Sequence, residues 1–372
     1  MTTCIELGIT NHTAQAMQQA RSLILKHIGV DVGFYTTKYT TGRSSGTANI
    51  GSKILTGSFP SLTAPSFGHR LAMASELDGV NIKLQYQSYF VGQSACDLVD
   101  AAGVYRVASE NYCKTEEYKA LMKGSYWHIA RHHKVSRALQ IENLVVGLPL
   151  NTVFEHADFL EQLCTGSHAL PAPHNPAEQI SVEVGNVMVV AQPQGAVVNY
   201  VSELPAGKIQ PNHLVLVFDM GGGTFDWFVC KGDYNPRYKV SGAHNVGTLN
   251  CAAEVCAKIK ESLKRNPIAM ERADIALRTG AKTFDLGGET YNTDDYWPQV
   301  IALMSTALSQ ALSMIGDLEG IDHVVLTGGG SPILARALAS LHPGLAKRAR
   351  QDIDPVYGNV RGFHRIAEMC YE

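Results

Sequence analysis

The chain has 372 residues, of which 45% are hydrophobic and 17% are charged, a composition typical of globular proteins and a length sufficient for two or three domains. Lys and Arg total 31 against 34 Asp and Glu, and the net charge of −3 argues against direct nucleic-acid binding, because neutralising phosphates requires a basic excess. We find no C-x-x-C pair, no basic secretion signal and no apolar run of the ~20 residues that a membrane helix needs, so we expect a cytoplasmic protein with free thiols and no membrane contact.

The pattern of apolar residues along the chain predicts strands that alternate with helices. Residues 1–26 form a polar extension that ends in a helix at 14–26. Strands are predicted at 27–32, 35–41, 59–61, 80–92, 144–149, 182–191, 214–218 and 322–326. Helices are predicted at 115–134, 193–204, 250–264 and 298–315, and loops at 43–52 and at the proline-containing stretch 165–178. This alternation indicates an α/β architecture.

Two segments about half the chain apart resemble each other. Ile28–Lys38 and Leu216–Asp226 each contain an apolar strand that ends in an aspartate, Asp31 or Asp219, followed by a turn with glycine and a returning strand. Such a repeat predicts a duplicated unit, with two lobes that face each other across a cleft.

The composition of both turns suits a phosphate group. Glycine-rich turns let backbone N–H groups point into one concavity, and hydroxyl groups and a lysine add donors and positive charge. The first turn would contribute Gly33, Tyr35, Thr36, Thr37 and Lys38, and the second Gly221, Gly222, Gly223 and Thr224. Like charges repel, so Asp31 and Asp219 would reach the phosphates only through Mg²⁺ and its waters.

A third glycine turn follows the apolar strand near residue 326. Gly328, Gly329 and Gly330 would allow a base and ribose to approach the backbone closely. Taken singly, the first turn is also compatible with an ordinary hairpin and the third with a generic strand-to-helix turn. Neither a P-loop nor a Rossmann glycine motif is present, so the phosphate site would be built differently.

Three motifs of this chain resemble, in order, the phosphate 1, phosphate 2 and adenosine motifs of the actin-like ATPase superfamily. Each follows a strand, and their patterns are DxGxxxxK, DxGGGTxD and TGGGS. Within it, the chain looks most like the ParM/StbA plasmid-segregation actin homologues, over residues 27–372. The finer resemblance lies in Phe59–Ser61, Tyr89–Gly92, Gly147–Leu150, Pro193–Ala196 and Asn359–Phe363.

The resemblance implies a two-lobed fold of the duplicated, ribonuclease H-like type, with ATP in the cleft. Lobe I would comprise 27–192 with a return of 342–372, and lobe II would comprise 193–341. Asp31 and Asp219 would hold Mg²⁺ through water, and Gln194 would lie near the attacking water, unless it only caps its helix. Glu254 and Lys258 would contact ribose and adenine, although their spacing of four is equally that of a surface ion pair.

The function that the resemblance implies is an ATPase that polymerises on ATP binding and disassembles after hydrolysis, for plasmid or DNA segregation through a DNA-binding adaptor protein. GTP in place of ATP stays open. The alternatives are a small-molecule kinase on the same fold and an ATPase switch that does not polymerise. A kinase would need a carboxylate base beside its acceptor hydroxyl, and no residue here resembles one.

Overall fold

Two β-sheets whose strand orders correspond over five strands form the framework of the molecule. The computed structural model describes residues 21–45, 52–65, 77–99 and 110–371. The strands are β1 (Ser22–Val32), β2 (Thr36–Arg43), β3 (Ile54–Pro60), β4 (Thr63–Pro65), β5 (Val80–Lys83), β6 (Ser88–Val91), β7 (Ala138–Leu148), β8 (Gly166–Ala172), β9 (Asn175–Ala191), β10 (Leu214–Met220), β11 (Phe225–Lys231), β12 (Gly242–His244), β13 (Thr283–Leu286), β14 (Glu289–Asn292), β15 (His323–Thr327) and β16 (Ala349–Gln351). The helices are α1 (Ala95–Leu98), α2 (Glu116–His132), α3 (Val153–Cys164), α4 (Gln192–Glu203), α5 (Thr248–Ile259), α6 (Pro267–Thr279), α7 (Trp297–Ile315), α8 (Ser331–Leu341), α9 (Pro343–Arg348) and α10 (Gly358–Tyr371).

The first sheet has the order β3-β2-β1-β7-β9-β8 and the second the order β12-β11-β10-β15-β16. In each, an antiparallel hairpin is followed by a strand that pairs in parallel with the first strand of the hairpin, β7 with β1 and β15 with β10. The predicted α/β class and the internal duplication are therefore confirmed, and each sheet with its helices forms one lobe. A three-stranded sheet, β4-β6-β5, and the hairpin β13-β14 are added to this framework.

Central strands are buried on both faces, which explains why they stand out in the sequence. In β10 all residues except Leu214 are buried, as expected for a strand covered by helices on both sides. The first sheet shares one core with α2, through Tyr118, Leu121 and Tyr126. The second shares its core with α5, α7 and α8.

One segment, Thr293–Ile315, is long and apolar enough to cross a membrane by length and composition alone. It contains α7, whose residues Val300, Met304 and Leu308 are fully buried in the core of the second lobe. One face of α7 thus packs inside the protein, and 33% of the apolar window is buried.

The predicted helix at 14–26 is wrong where the structure describes it. Residues 14–20 lie outside the described residues, and Ser22–Lys26 belong to β1, which pairs with β7 from Ser22 opposite Ala138 onward. Pairing with a neighbouring strand has overridden the local preference, which a single segment does not reveal.

The predicted loop at 165–178 is also wrong, because β8 and the start of β9 form a hairpin there. Pro171 lies in β8, at the edge of the first sheet, and an edge strand tolerates a residue that donates no hydrogen bond. Residues 342–372 were expected to return to lobe I. In the structure, β16 pairs with β15 of the second sheet and α9 lies beside β15, whereas α10 packs on β1, β7 and α4.

Two glycines allow α10 to cross α4 at close range. A Cβ atom on Gly362 would collide with the backbone of Gly195, and one on Gly195 would collide with the carbonyl oxygen of Asn359. The ring of Phe363 fills the remaining space beside Gly195 and Gly147. The crossing therefore depends on the absence of side chains at these positions.

We expect Gly362→Ala to lower the free energy of unfolding by about 3 kcal/mol, because the helices must separate to accommodate the added methyl group. Urea unfolding measures this change. Gly344→Ala in α9 is the matched control, since nothing lies within 4 Å of a Cβ there, and it should leave stability unchanged or slightly raised. Equal losses in both variants would contradict this account of the crossing.

Candidate functional site

An open cleft, of about 1130 Å³ when the solvent at its mouth is included, lies where the carboxyl ends of β1 and β10 face each other. Its walls are the turn between β1 and β2, the turn between β10 and β11, the turn after β15 and the start of α4. Ligand sites of α/β proteins are commonly found at the carboxyl ends of the strands. The described residues therefore present a cleft where the sequence predicted one.

Most of the predicted site residues line this cleft. They are Asp31, Gly33, Tyr35, Thr36, Lys38, Asp219, Gly221, Gly222, Thr224, Gly328 and Gly329. The structure therefore brings the three glycine turns together, although they lie far apart in the sequence.

Asp31 lies at the end of β1 and is 1% exposed. Its Oδ2 accepts a hydrogen bond from Lys38 Nζ at 2.9 Å, and its Oδ1 accepts one from Gln192 Nε2 at 2.8 Å. Lys38 stands directly opposite Asp31 in the β1–β2 ladder, so the spacing of seven in the sequence is the register of a hairpin. Both carboxylate oxygens are thereby satisfied despite their burial.

Asp219 lies at the equivalent point of β10 and is 6% exposed. Its Oδ2 accepts a hydrogen bond from Asn359 Nδ2 at 2.6 Å. Burial raises the pKa of Asp219 from 3.8 to about 6, and the charge of Asp31 adds to the rise, while Asn359 and Lys38 oppose it. The ionised form of Asp219 is therefore costly by itself and would be stabilised by a cation.

A third carboxyl, Asp226, lies behind Asp219. It stands opposite Asp219 in the β10–β11 ladder, the position that Lys38 occupies in the first lobe. Burial raises its pKa to about 7, and the charge of Asp219 adds to this rise. The backbone N–H of Leu150 donates to Asp226 Oδ1 at 3.2 Å and the hydroxyl of Thr224 also donates to it, so this group joins β11 to the loop after β7.

Two glycines of the turns are required by close contacts. Gly328 has a φ of +82°, and a Cβ there would collide with Asp219 Oδ1. A Cβ on Gly222 would lie 2.9 Å from the Cβ of Tyr35. The turn between β10 and β11 therefore approaches the turn between β1 and β2 closely. The carbonyls of Gly221 and Gly222 accept hydrogen bonds from the backbone of Thr248 and Leu249, and thus point toward α5.

Gln194 does not line the cleft, and Gln192 does. Both lie in the first turn of α4, and two residues apart on an α-helix are about 200° apart around its axis. Only one of them can therefore face Asp31, and the hydrogen bond from Gln192 shows which. The sequence pattern located this helix start, the structure brings Gln192 to the cleft, and the role expected of Gln194 stays a prediction.

Glu254 and Lys258 are exposed on α5 and do not line the cleft. The inward face of α5 carries Cys251, Ala252 and Val255, so Glu254 and Lys258 lie on its outward face. The nucleotide contacts expected of Glu254 and Lys258 therefore stay a prediction.

Three other predicted residues, Thr37, Gly223 and Gly330, lie outside the lining. The hydroxyl of Thr37 is buried and hydrogen-bonded to that of Ser61 at 2.9 Å. A Cβ on Gly330 would press on Met220 and Thr248. Thr37 and Gly330 therefore support the turns from behind.

Several polar residues that line the cleft were not predicted. They are Glu110, Tyr112, Asn151, Thr152, Gln192, Asn245, Thr248, Arg278 and Asn359. Asn359 lies within one of the segments that carried the resemblance. The others lie in loops or at helix ends that come to the cleft only through tertiary folding.

The donor set suits Mg²⁺ held mainly through water. Among the described residues, no group of three or more His, Cys, Asp or Glu side chains could hold a metal ion directly. Mg²⁺ usually keeps several waters and binds one or two carboxylates together with substrate phosphates. Asp31 and Asp219 meet that requirement.

Two protein-family models match the chain. "Actin like proteins N terminal domain" matches residues 29–195, and "Archaeal actin homologue MreB-like, C-terminal" matches residues 217–340. Among curated proteins, a ribosome-associated molecular chaperone of Zygosaccharomyces rouxii is 25% identical over 226 residues, which are 50% of this chain. The match spans only 36% of that chaperone.

Solved structures of actin homologues share the fold over nearly the whole chain. Apo pSK41 ParM has a TM-score of 0.64 at 17% identity, covering 94% of this chain and 97% of its own. The archaeal actin homologue Ta0583 in complex with ADP has a TM-score of 0.63 at 17% identity, covering 93% and 100%. A 15-stranded ParM filament from Clostridium botulinum has a TM-score of 0.67 at 16% identity, with the same coverage as Ta0583.

The two matched models together span both lobes, and the three glycine turns meet in one cleft between them. This chain is therefore a member of the actin-like protein family, built on the fold of the ParM and Alp proteins.

Proposed function

We propose that this protein is a cytoplasmic, Mg²⁺-dependent ATPase that polymerises on ATP binding and disassembles after hydrolysis. One observation carries the proposal: Asp31 and Asp219, at equivalent ends of two duplicated hairpins, face one cleft together with Lys38. Two buried carboxylates and three glycine turns suit a metal-bound phosphate chain and little else.

Lys38 would supply a positive charge to the phosphate chain, and the backbone N–H groups of the turns would hold its oxygens. When bound, Mg²⁺ would neutralise charge on the phosphates. Gln192, anchored on Asp31, would orient the attacking water by its amide. Because an amide is no base, hydrolysis would be slow, which suits a filament whose lifetime it sets.

Filament formation is supported by the relatives, which include a ParM filament and an Alp12 filament. A head-to-tail contact between copies is heterologous and extends without closing. We propose self-association of this kind, with plasmid or other DNA captured through a DNA-binding adaptor protein, because the net charge of −3 does not favour direct DNA contact.

We expect the purified protein to pellet and to scatter light in Mg²⁺–ATP, and to do neither with ADP or without nucleotide. The signal should decay as phosphate appears, because loss of the terminal phosphate weakens the closed state. ATP hydrolysis without polymer at tens of micromolar protein would favour the non-polymerising switch. Hydrolysis that depends on an added acceptor would favour the kinase.

We expect Asp219→Asn to stabilise the nucleotide-free protein while weakening Mg²⁺–ATP binding at least tenfold. The amide keeps the hydrogen bond to Asn359 and removes a carboxylate whose pKa burial raises from 3.8 to about 6. A raised carboxyl pKa means that the folded state loses stability as pH rises between these two values. The gain in unfolding free energy should therefore be small near pH 4, grow toward pH 6 and level off at about 1–3 kcal/mol.

Urea unfolding at several pH values measures the first effect, and calorimetric titration with Mg²⁺–ATP the second. Asp295→Asn, at an exposed site in the same lobe, is the control and should change neither. Unchanged ATP affinity in Asp219→Asn would remove Asp219 from the proposed site.

We expect Gln192→Ala to lower the ATP turnover number by about 10- to 100-fold, because the attacking water loses its orientation. Gln194→Ala, on the same helix turn but outside the cleft, should stay within about twofold of the wild type. Steady-state phosphate release measures both. The reverse order of effects would restore the sequence-based choice of Gln194.

A further inference from the structure

Positive charge in the cleft comes from both lobes. Among the described residues that line it, the acidic side chains are Asp31, Glu110 and Asp219, and the basic ones are Lys38 and Arg278. Lys38 is already paired with Asp31. Arg278, in the last turn of α6, is thus the basic group of the second lobe that faces any anion in the cleft.

The guanidinium of Arg278 is fixed at two points. Its Nε donates to Asp274 Oδ2 at 2.7 Å, and the side chain of Asp274 is fully buried. Its Cζ lies 5.4 Å from the centre of the Tyr35 ring, within the range of a cation–π interaction. Tyr35 belongs to the turn of the first lobe, so Arg278 reaches across the cleft from α6.

The two terminal nitrogens of Arg278, Nη1 and Nη2, have no hydrogen-bond partner in the described part of the chain, and the side chain is 25% exposed. A guanidinium held by Nε presents these two nitrogens as a planar fork. Such a fork matches two oxygens of a phosphate, and Arg keeps its charge at any physiological pH. Asp274 therefore fixes the guanidinium through Nε, and Nη1 and Nη2 remain as prearranged hydrogen-bond donors for the oxygens of an anion.

We propose that Arg278 binds the phosphate chain of the nucleotide through Nη1 and Nη2, as the second cation beside Lys38. This inference rests on the proposed function and adds to it a residue from the second lobe. Because α6 and the turn that holds Tyr35 belong to different lobes, a phosphate bound by Arg278 ties the lobes together. Nucleotides with a longer phosphate chain then favour closure of the cleft more than nucleosides do.

The test compares the dissociation constants of Mg²⁺–ATP and of adenosine, measured by equilibrium dialysis up to millimolar ligand. Arg278→Gln removes the charge and the fork, and Arg278→Lys keeps a point charge that can still pair with Asp274. Arg272→Gln is the matched control: it removes the same charge from α6, where Arg272 donates to the carbonyl of Asp285 on the exposed side. Circular dichroism and thermal unfolding of each nucleotide-free variant establish that it is folded.

We expect Arg278→Gln to weaken ATP binding by about 10- to 100-fold and adenosine binding by less than twofold. Arg278→Lys should fall between Arg278→Gln and the wild type, and Arg272→Gln should match the wild type. Equal loss for ATP and adenosine, or no loss for either, would overturn the inference while leaving the proposed function standing. If Arg278→Gln does not fold, Arg278→Lys provides the test. Binding of both ATP and adenosine by Arg278→Lys as tightly as by the wild type would contradict the proposal that Nη1 and Nη2 bind the phosphate chain. A wild-type protein that binds no nucleotide would instead overturn the proposed function, and the inference with it.

Discussion

The structure depends on keeping two carboxylates, Asp31 and Asp219, buried at the facing ends of two sheets. Each would be costly alone, and each is held by an amide from a different helix: Gln192 at the start of α4 donates to Asp31, and Asn359 near the start of α10 donates to Asp219. Lys38 adds a charge on the side of Asp31 only. The cleft is thus prepared for a cation that would satisfy both groups together.

The two helices that supply these amides pack directly on each other. Gly195 and Gly362 bring their backbones close, and Phe363 fills the space beside them. This crossing fixes where Gln192 and Asn359 stand relative to each other, and therefore how far apart the two aspartates are held. The network of Arg361 with Asp352 and Asp354 anchors α10 to the segment that leaves the second sheet. Packing directly behind the cleft thereby determines the geometry of the cleft.

The duplicated hairpins have diverged in charge. The residue opposite Asp31 in its ladder is Lys38, whereas the residue opposite Asp219 is Asp226. The first lobe consequently carries a balanced pair and the second two carboxyls side by side. Burial is the main reason why the pKa of both Asp219 and Asp226 is raised, and the charge of Asp219 adds to the rise at Asp226. Positive charge from the second lobe reaches the cleft from α6 instead, through Arg278.

The sequence by itself determined the fold class, the duplication and the three glycine turns, because each depends on local spacing. An apolar strand, an aspartate and a glycine turn specify one hairpin, and the spacing between Asp31 and Lys38 is its register. Only the tertiary structure decided which glutamine faces the cleft, since a shift of two residues on α4 reverses the side that a side chain takes. It also decided that Glu254 and Lys258 face solvent and that Arg278, Asn245 and Asn359 reach the site. These residues meet through packing between segments distant in the chain, and no local pattern encodes such contacts.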